Sequence, residues 1–293
     1  MEVVFKKEYT SMSFDPKPTK YPFPLDTAKH YLVVKKNDGT VFDAKYPYLD
    51  KTKSFKFKRF LVRILLYTIV FPMTRIKLGL KIKGRKNIKK NKKLFKQGII
   101  SCSNHINMWD YLGVICAIKP FKPYTIVWAP NVSGESGKLV RLVNGIPIPE
   151  GDLAASYAFN KAIVELLRDK QWLHVYPEGS MWEYYAQIRP FKKGAAHFAV
   201  KYDLPVLPMG YSYRRPGWIR KKIFKQSAKL TLTIGEPLYI NKELPKEEWE
   251  TDLIKRMHKA VCELAHVENN LYEPIYNNSK RIDYYTTEYG IEK

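Results

Sequence analysis

Cysteine is scarce in this 293-residue chain, and its distribution excludes two classes of protein. Cys102, Cys116 and Cys262 are far apart, and no Cys-x-x-Cys pair occurs. Neither a disulfide framework nor a zinc site is therefore expected, no metal is predicted, and a reducing compartment fits best. Nineteen Pro and 15 Gly without a fixed repeat also exclude collagen-like, coiled-coil and solenoid architectures.

Neither a secretory leader nor a membrane-spanning run is expected from this sequence. Its first residues, Met-Glu-Val-Val-Phe-Lys-Lys, are charged and contain no apolar core with a small-residue cleavage site, so secretion is not expected. The most apolar run, residues 60–73, would be only ~21 Å long as a helix, against about 30 Å of bilayer hydrocarbon. Arg63 within that run costs roughly 2.5–3.5 kcal/mol at a membrane centre. We therefore expect that the run does not span a membrane.

Positive charge is what the chain has in excess. It carries 51 Lys and Arg against 28 Asp and Glu, a net charge of +23, and its 45% hydrophobic content is enough to bury a large core. Such a charge favours an anionic partner, which could be nucleic acid, an acidic protein or a membrane surface. No helix-turn-helix, aromatic RNA-binding or zinc motif is present, so we expect no nucleic-acid partner.

The apolar segment 56–80 concentrates this charge around itself. Pro72 is expected to end its first helix. Six cations lie in or beside the apolar body: Lys56, Lys58, Arg59, Arg63, Arg75 and Lys77. This pattern is typical of a helix that lies in a membrane interface, but it fits equally an ordinary buried helix with a polar edge. The first alternative predicts an anionic membrane surface as partner.

The remaining pattern predicts an α/β fold with a central, mostly parallel sheet flanked by helices, preceded by the membrane-interfacial helical segment. We divide the chain into an N-terminal extension (1–55), with a hairpin at 31–42, the interfacial segment (56–80), a main domain (81–272) and a polar tail (273–293). Strands are predicted at 78–82, 98–101, 124–128, 172–176, 206–209 and 230–234. Helices are predicted at 109–117, 137–143, 153–168, 192–200 and 247–266.

One candidate site directly follows the predicted strand 98–101. His105 and Asp110 are five residues apart, a spacing that does not share one face of a straight helix. A bend at the start of the next helix would let the carboxylate bond one imidazole nitrogen and leave the other free to accept a proton. Asn107 and Asp110 also fit a capping box, in which His105 is only a turn residue.

A second candidate site follows the strand 172–176, with Pro177, Glu178, Gly179 and Ser180 in a turn. Cations at Arg189, Lys192 and Lys193 precede the next predicted helix, where a phosphate could bind. Each motif is weak alone, since a surface turn explains it. Together they gain weight, because both follow strand ends in an open α/β sheet, where such folds bind ligands. Cys102 and His174 are expected to be structural.

Four blocks together resemble the glycerolipid acyltransferase family over about residues 60–240. They are Asn104-His105 with Asp110, Tyr176-Pro-Glu-Gly-Ser180, Pro190-Phe-Lys-Lys-Gly194 and Leu204-Pro-Val-Leu-Pro208. The resemblance implies that His105, supported by Asp110, deprotonates an acceptor hydroxyl that attacks the thioester of acyl-CoA or acyl carrier protein. Glu178, Gly179 and Ser180 would bind the acceptor, with Ser180 replacing the usual Thr.

The resemblance further implies a lysophospholipid acceptor, first of all 1-acyl-glycerol-3-phosphate, which would give phosphatidic acid in phospholipid biosynthesis. No cofactor beyond the thioester co-substrate is implied. The expected location is the cytoplasmic face of the cell membrane, as a peripheral or monotopic protein.

Two positions depart from the family pattern. Pro149-Glu150 and Met181-Trp182 stand where the family usually has phosphate-binding arginines. We hypothesise that Arg189, Lys192 or Lys193 compensates. The alternatives are a different lipid acceptor, such as another lysophospholipid, a glycolipid or an aminolipid, or a non-catalytic lipid-binding protein of the same fold.

Overall fold

A twisted α/β sheet forms the centre of the protein, seen in a computed structural model that describes residues 29–30, 34, 38–223, 225–226, 228–268, 270 and 272. Within these residues the sheet has seven strands in the order β1-β7-β6-β2-β5-β3-β4. The strands are β1 (Lys81–Lys83), β2 (Ile99–Cys102), β3 (Tyr124–Trp128), β4 (Gly145–Ile148), β5 (Trp172–Val175), β6 (Val206–Arg214) and β7 (Lys229–Ile234). All neighbouring pairs are parallel except β6 with β7. The predicted fold class is confirmed.

The strands differ from the prediction at three places. The first strand was predicted at 78–82 but is observed at Lys81–Lys83, because Leu78 still caps the preceding helix. β4 was not predicted, because its sequence, Gly-Ile-Pro-Ile, contains a residue that breaks most strands. Among the described residues it lies at the edge of the sheet and pairs with β3 alone, a position at which Pro is tolerated. β6 was predicted to end at Met209, but it continues to Arg214 in an antiparallel pairing with β7.

Helices cover both faces of the sheet. Those that follow the N-terminal helices are α3 (Arg85–Lys90), α4 (Lys92–Phe95), α5 (Asp110–Ala117), α6 (Pro130–Ser133), α7 (Gly137–Leu142), α8 (Leu153–Arg168), α9 (Gly194–Tyr202), α10 (Trp218–Lys222) and α11 (Trp249–Ala265). One core cluster joins α8, α9 and α11 to the sheet, and a second joins α3, α4 and α5 to the opposite face. Leu253, Met257 and Val261 of α11 are fully buried, which confirms the predicted core-packing face.

Residues 53–77 form a continuous helical run, which corrects the predicted break at Pro72. It comprises α1 (Lys53–Leu65), a π-helical turn (Leu66–Val70) and α2 (Phe71–Lys77). Pro72 lies in the first turn of α2, directly after the π turn. A proline lacks the N–H of an ordinary helical residue, and a wider turn in front of it relieves the clash of its ring with the preceding carbonyls.

The N-terminal helices pack against the main domain, in part through a small apolar cluster. Leu66 and Phe71 pack in a small cluster against Leu112, Ile115 and Cys116 of α5. The helix that begins at Asp110 is therefore in direct contact with this segment. Within the described residues, no helix has both the length and the apolar character needed to cross a membrane.

Parts of two predicted regions lie outside the described residues. The polar tail, 273–293, is wholly outside them, and so is most of the N-terminal extension, including much of the predicted hairpin. The portion of that hairpin that the structure does describe, residues 34 and 38–42, contains no strand.

Candidate active site

The register of the central strands brings the two predicted motifs together. β2 and β5 are parallel neighbours, and Cys102 pairs with Val175 at their carboxyl ends. The chain segments that leave these two residues therefore start side by side. Asn104 fixes the first segment, because its side-chain amide both donates to and accepts from the backbone of Tyr211 on β6 (3.0 and 2.7 Å).

His105 and Asp110 form the predicted pair. His105 Nδ1 lies 2.8 Å from Asp110 Oδ2. The Asp110 side chain is fully buried, whereas that of His105 is 23% exposed. Because an ionised carboxylate only accepts hydrogen bonds, this contact requires the Nδ1–H tautomer. Within the described residues Nε2 has no hydrogen-bond partner, so it is the nitrogen that can accept a proton.

Asp110 also holds the turn that carries His105. Its Oδ2 accepts hydrogen bonds from the backbone N–H groups of Ile106 (3.0 Å) and Asn107 (3.3 Å). Asn107 Oδ1 in turn accepts from the backbone N–H of Trp109 (2.9 Å). The two alternatives drawn from the sequence are therefore both partly correct, since Asp110 organises the start of α5 and orients the imidazole with the same oxygen.

Tyr176 is a site residue that sequence reasoning missed. Its hydroxyl donates to Asp110 Oδ1 at 2.8 Å. Its ring stacks on His105, with centroids 3.9 Å apart and planes 17° from parallel. Burial, reinforced by the nearby Asp110 carboxylate, raises the pKa of Tyr176 well above its ordinary value, so the hydroxyl stays a donor. The sequence signals were its place at the end of a buried strand, directly before Pro177, and its position as the first residue of the block Tyr176-Pro-Glu-Gly-Ser180.

Glu178 and Arg189 form a buried ion pair behind the histidine. Glu178 Oε2 accepts from Arg189 Nε at 2.8 Å, and the two side chains are 2% and 0% exposed. Glu178 Oε1 accepts from the backbone N–H of His105 at 2.8 Å. Arg189 Nη1 donates to Ser180 Oγ at 2.6 Å, so three predicted substrate-binding residues belong to one internal network.

This network corrects the proposed phosphate contact of Arg189. A headgroup could reach the guanidinium only by displacing Glu178 or Ser180, because Arg189 has no exposed surface. Trp182 closes the network, with Arg189 over its ring at 4.5 Å and its backbone N–H on His105 O at 3.3 Å. Glu178, Ser180 and Arg189 thus fix the backbone around His105.

Gly179, Lys192 and Lys193 lie closer to solvent. Gly179 has φ +80°, a conformation that favours glycine, and a Cβ built on it would lie 2.7 Å from Lys192 Nζ. The Lys192 ammonium therefore lies over the Pro-Glu-Gly-Ser turn. Lys193 is exposed at the N-cap position of α9. Of the three cations proposed to bind phosphate, Lys192 is the one that the structure brings against this turn.

The N-terminal extension supplies a part of the site that the sequence did not predict. His30 stacks on Trp128 at 3.8 Å between centroids, and Trp128 Nε1 donates to Glu150 Oε1 at 2.7 Å. Burial lowers the pKa of His30; Glu150 opposes this shift, and Lys192 adds to it. The neighbouring Lys29 accepts a hydrogen bond from Trp182 Nε1 through its carbonyl oxygen (2.9 Å).

Two further groups beneath the site are structural, as predicted. His174 is completely buried between Ser101 Oγ (2.9 Å) and Ser103 Oγ (3.3 Å), and burial lowers its pKa to about 3, so its imidazole is neutral. Cys102 is completely buried in β2, and burial raises the pKa of its thiol. A buried thiol of this kind is not a nucleophile.

The chain is similar to known acyltransferases. The family model described as Acyltransferase matches residues 79–212. A 1-acyl-sn-glycerol-3-phosphate acyltransferase of Limnanthes douglasii is 27% identical over 223 residues, covering 68% of this chain and 72% of the relative. The enzyme of the same name from Limnanthes alba is 26% identical over 176 residues, covering 58% of each chain.

A solved structure is also similar, that of the 1-acyl-sn-glycerophosphate (LPA) acyltransferase PlsC from Thermotoga maritima. It is 20% identical, with a TM-score of 0.48, and the alignment covers 74% of this chain and 84% of that one.

The matched residues 79–212 include β2, β5 and the two turns that hold His105, Asp110, Tyr176 and Glu178. The part of the chain that matches the family is thus the part that carries the histidine–aspartate pair and its support. Residues 79–212 thus match an acyltransferase domain, and the comparisons support an O-acyltransferase similar to the glycerolipid acyltransferases.

Proposed function

We propose that this protein transfers a fatty acyl group from a thioester donor to the free hydroxyl of a lysophospholipid, with 1-acyl-glycerol-3-phosphate as the first acceptor to test. The observation that carries the proposal is the His105–Asp110 pair, 2.8 Å apart at the carboxyl edge of the sheet, with Nε2 of the histidine unpaired within the described residues. The names of the Limnanthes relatives support the choice of acceptor.

The proposed reaction is a direct transfer. His105 Nε2 accepts the proton of the acceptor hydroxyl while its oxygen attacks the thioester carbonyl carbon. The tetrahedral intermediate collapses by breaking the carbon–sulfur bond, and the leaving thiolate takes the proton from the imidazolium. A base of this kind contributes typically 10²–10⁴-fold to the rate. The donor is acyl-CoA or acyl carrier protein, whose thiol is the leaving group.

Lys192 is the proposed ligand of the acceptor phosphate. Its ammonium lies over the Gly179 turn, and no ion pair with a described residue neutralises it. The carboxylate of Glu150 stands where the family usually has an arginine, and it is bonded to Trp128 rather than to a cation. The positive charge available to a phosphate thus comes from Lys192 and not from the position of Glu150.

The acceptor is tested by a thiol-release assay with one acyl-CoA and a panel of lipids, with products identified by mass spectrometry. We expect phosphatidic acid from 1-acyl-glycerol-3-phosphate. Lys192→Gln should raise the KM for this acceptor by roughly 10- to 150-fold, since a hydrogen bond to a charged group is worth roughly 1.5–3 kcal/mol. Lys201→Gln, which removes an exposed cation from the last turn of α9, should not change it.

Other results would change the assignment. Preference for an uncharged or amine headgroup would identify a different acceptor and would agree with the carboxylate at Glu150. Lipid binding without thiol release from any donor would contradict the proposed reaction.

We also propose that the α1–α2 run lies on an anionic membrane surface, at the cytoplasmic face of the cell membrane. Its outer side exposes Phe57, Phe60, Leu61, Ile64, Leu65, Ile69, Met73 and Ile76. At its end Lys77 Nζ lies 4.7 Å from the ring of Trp109, beside the exposed Met108 of the His105 turn. A lipid acceptor could therefore pass from the apolar helix surface to His105 over a short path.

A further inference from the structure

A second exposed apolar patch lies on α10 and its C-cap residue, Ile223, in the connection between β6 and β7. Trp218, Ile219 and Ile223 are 67%, 57% and 66% exposed, although each is a large apolar side chain. No residue of α10 is buried, so the helix adds nothing to the core. Clustered exposure of this kind marks an interaction surface rather than ordinary surface composition.

Specific contacts hold α10 beside the end of α2. The Arg220 guanidinium donates to the backbone oxygen of Ile76 and, at 2.9 Å, to Gln226 Oε1. Below it, Arg214 donates to Gly79 O and, at 3.0 Å, to Leu230 O. The apolar side chains of α10 are therefore fixed next to Ile76, which is itself 60% exposed on α2.

The charge around both patches has one sign. No Asp or Glu occurs between Leu204 and Gly235, a stretch that contains seven Lys and Arg, four of them close to the patch: Arg215, Arg220, Lys221 and Lys222. No Asp or Glu occurs between Lys51 and Trp109 either. Lys222 Nζ lies 5.3 Å from the centre of the Trp218 ring, so the cation and the indole are presented together.

We propose that α10 is a second membrane-contact element, which inserts Trp218, Ile219 and Ile223 into an anionic lipid surface while its cations contact the headgroups. Tryptophan with neighbouring Lys and Arg is the composition that membrane interfaces favour. A nucleic acid would use the cations but would leave the isoleucines exposed to water. The proposed acyl transfer explains why the protein would bind a lipid surface at α10. The binding itself does not depend on turnover.

Contact at α10 as well as α1–α2 fixes how the domain sits on the surface. A single amphipathic run leaves the protein free to rotate about that run. A second contact removes this freedom and holds the His105 edge of the sheet in one orientation towards the bilayer. β6, which leads into α10, also carries Tyr211, whose hydroxyl donates to the backbone oxygen of Asp110.

The test measures partitioning of the full chain onto phosphatidylcholine vesicles with and without phosphatidylglycerol. Trp218→Ser/Ile223→Ser should lower partitioning onto the anionic vesicles at least tenfold, and Lys221→Gln/Lys222→Gln should lower it about fivefold for each cation. The matched control, Val41→Ser/Tyr239→Ser, removes two apolar side chains that are equally exposed elsewhere and should leave partitioning unchanged.

A second measurement covers the case in which the double variant folds poorly. Brominated lipids should quench a component of the tryptophan fluorescence in the wild-type chain that is missing in Trp218→Phe. Wild-type partitioning of a folded Trp218→Ser/Ile223→Ser variant would overturn the proposal, as would equal quenching in wild type and Trp218→Phe. Failure of acyl transfer to every acceptor would refute the proposed reaction and leave these binding results unaffected.

Discussion

Replacing Tyr176 by Phe removes one hydroxyl from the site and leaves its aromatic ring on His105. The lost bond is the 2.8 Å contact to Asp110 Oδ1. A hydrogen bond to a charged group contributes roughly 1.5–3 kcal/mol. For a chain of this size the melting temperature should therefore fall by about 3–12 °C, at about 2–4 °C per kcal/mol.

The same substitution should move the pH dependence of the reaction. A carboxylate with one donor fewer holds the imidazolium of His105 more tightly, so the acidic limb of kcat/KM should move to higher pH. The lost hydrogen bond, worth roughly 1.5–3 kcal/mol, limits the shift of the acidic limb to about 1–2 pH units, because one pH unit corresponds to about 1.36 kcal/mol. We expect about half a unit, because Asp110 keeps its bonds to His105, Ile106 and Asn107. The plateau rate should fall less than tenfold, since the base stays in place.

Tyr111→Phe is the matched control. Tyr111 donates to the backbone oxygen of Pro123 at 2.8 Å and does not bond Asp110 through its hydroxyl. Its loss should cost about 0.5–1.5 kcal/mol of stability and leave the pH profile unchanged. Thermal melts and kcat/KM measured from about pH 5 to 9 compare the two variants. An unshifted profile in Tyr176→Phe, or an equal shift in both, would refute the role given to Tyr176.

Two further predictions concern buried charges. Arg189→Met should destabilise the fold by about 3–5 kcal/mol, because it leaves the carboxylate of Glu178 buried without its partner; Arg189→Met/Glu178→Gln should recover part of the melting temperature, and a single variant as stable as wild type would contradict this. His258 has its pKa lowered to about 4 by burial, below its ordinary value of 6.5. The unfolded chain therefore binds a proton that the folded chain excludes, so this stability is complete above about pH 6.5 and falls by about 2 kcal/mol by pH 5. His258→Gln should flatten the melting temperature between those pH values, and an unchanged slope would show that His258 is not responsible.

The sequence predicted the sheet and the pair at its edge because both depend on local pattern. Buried strands appear as short apolar runs, and a carboxylate five residues after a histidine at a strand end needs only one turn to meet it. β4 escaped the prediction because a proline inside a strand, such as Pro147, is tolerated mainly when the strand lies at the edge of a sheet, and edge positions are set by topology.

The parts of the site that the sequence did not predict depend on contacts between distant residues. Arg189 was expected to face a ligand, but its partner, Glu178, lies eleven residues away and both are buried. Tyr176 meets Asp110 only because β2 and β5 are neighbours in the sheet. His30 reaches Trp128 from an extension that showed no pattern of its own. The charge and spacing of residues in a turn do not show which of their side chains will be buried in the folded protein.

The central claim is that His105 is the base that takes the proton from the acceptor hydroxyl. The most direct measurement is kcat/KM of His105→Ala with acyl-CoA and 1-acyl-glycerol-3-phosphate, beside His197→Ala, which removes an exposed histidine paired with Glu250. The account predicts a loss of about 10²–10⁴-fold for His105→Ala, with wild-type binding to anionic vesicles, and no loss for His197→Ala. Turnover retained in folded His105→Ala would contradict it.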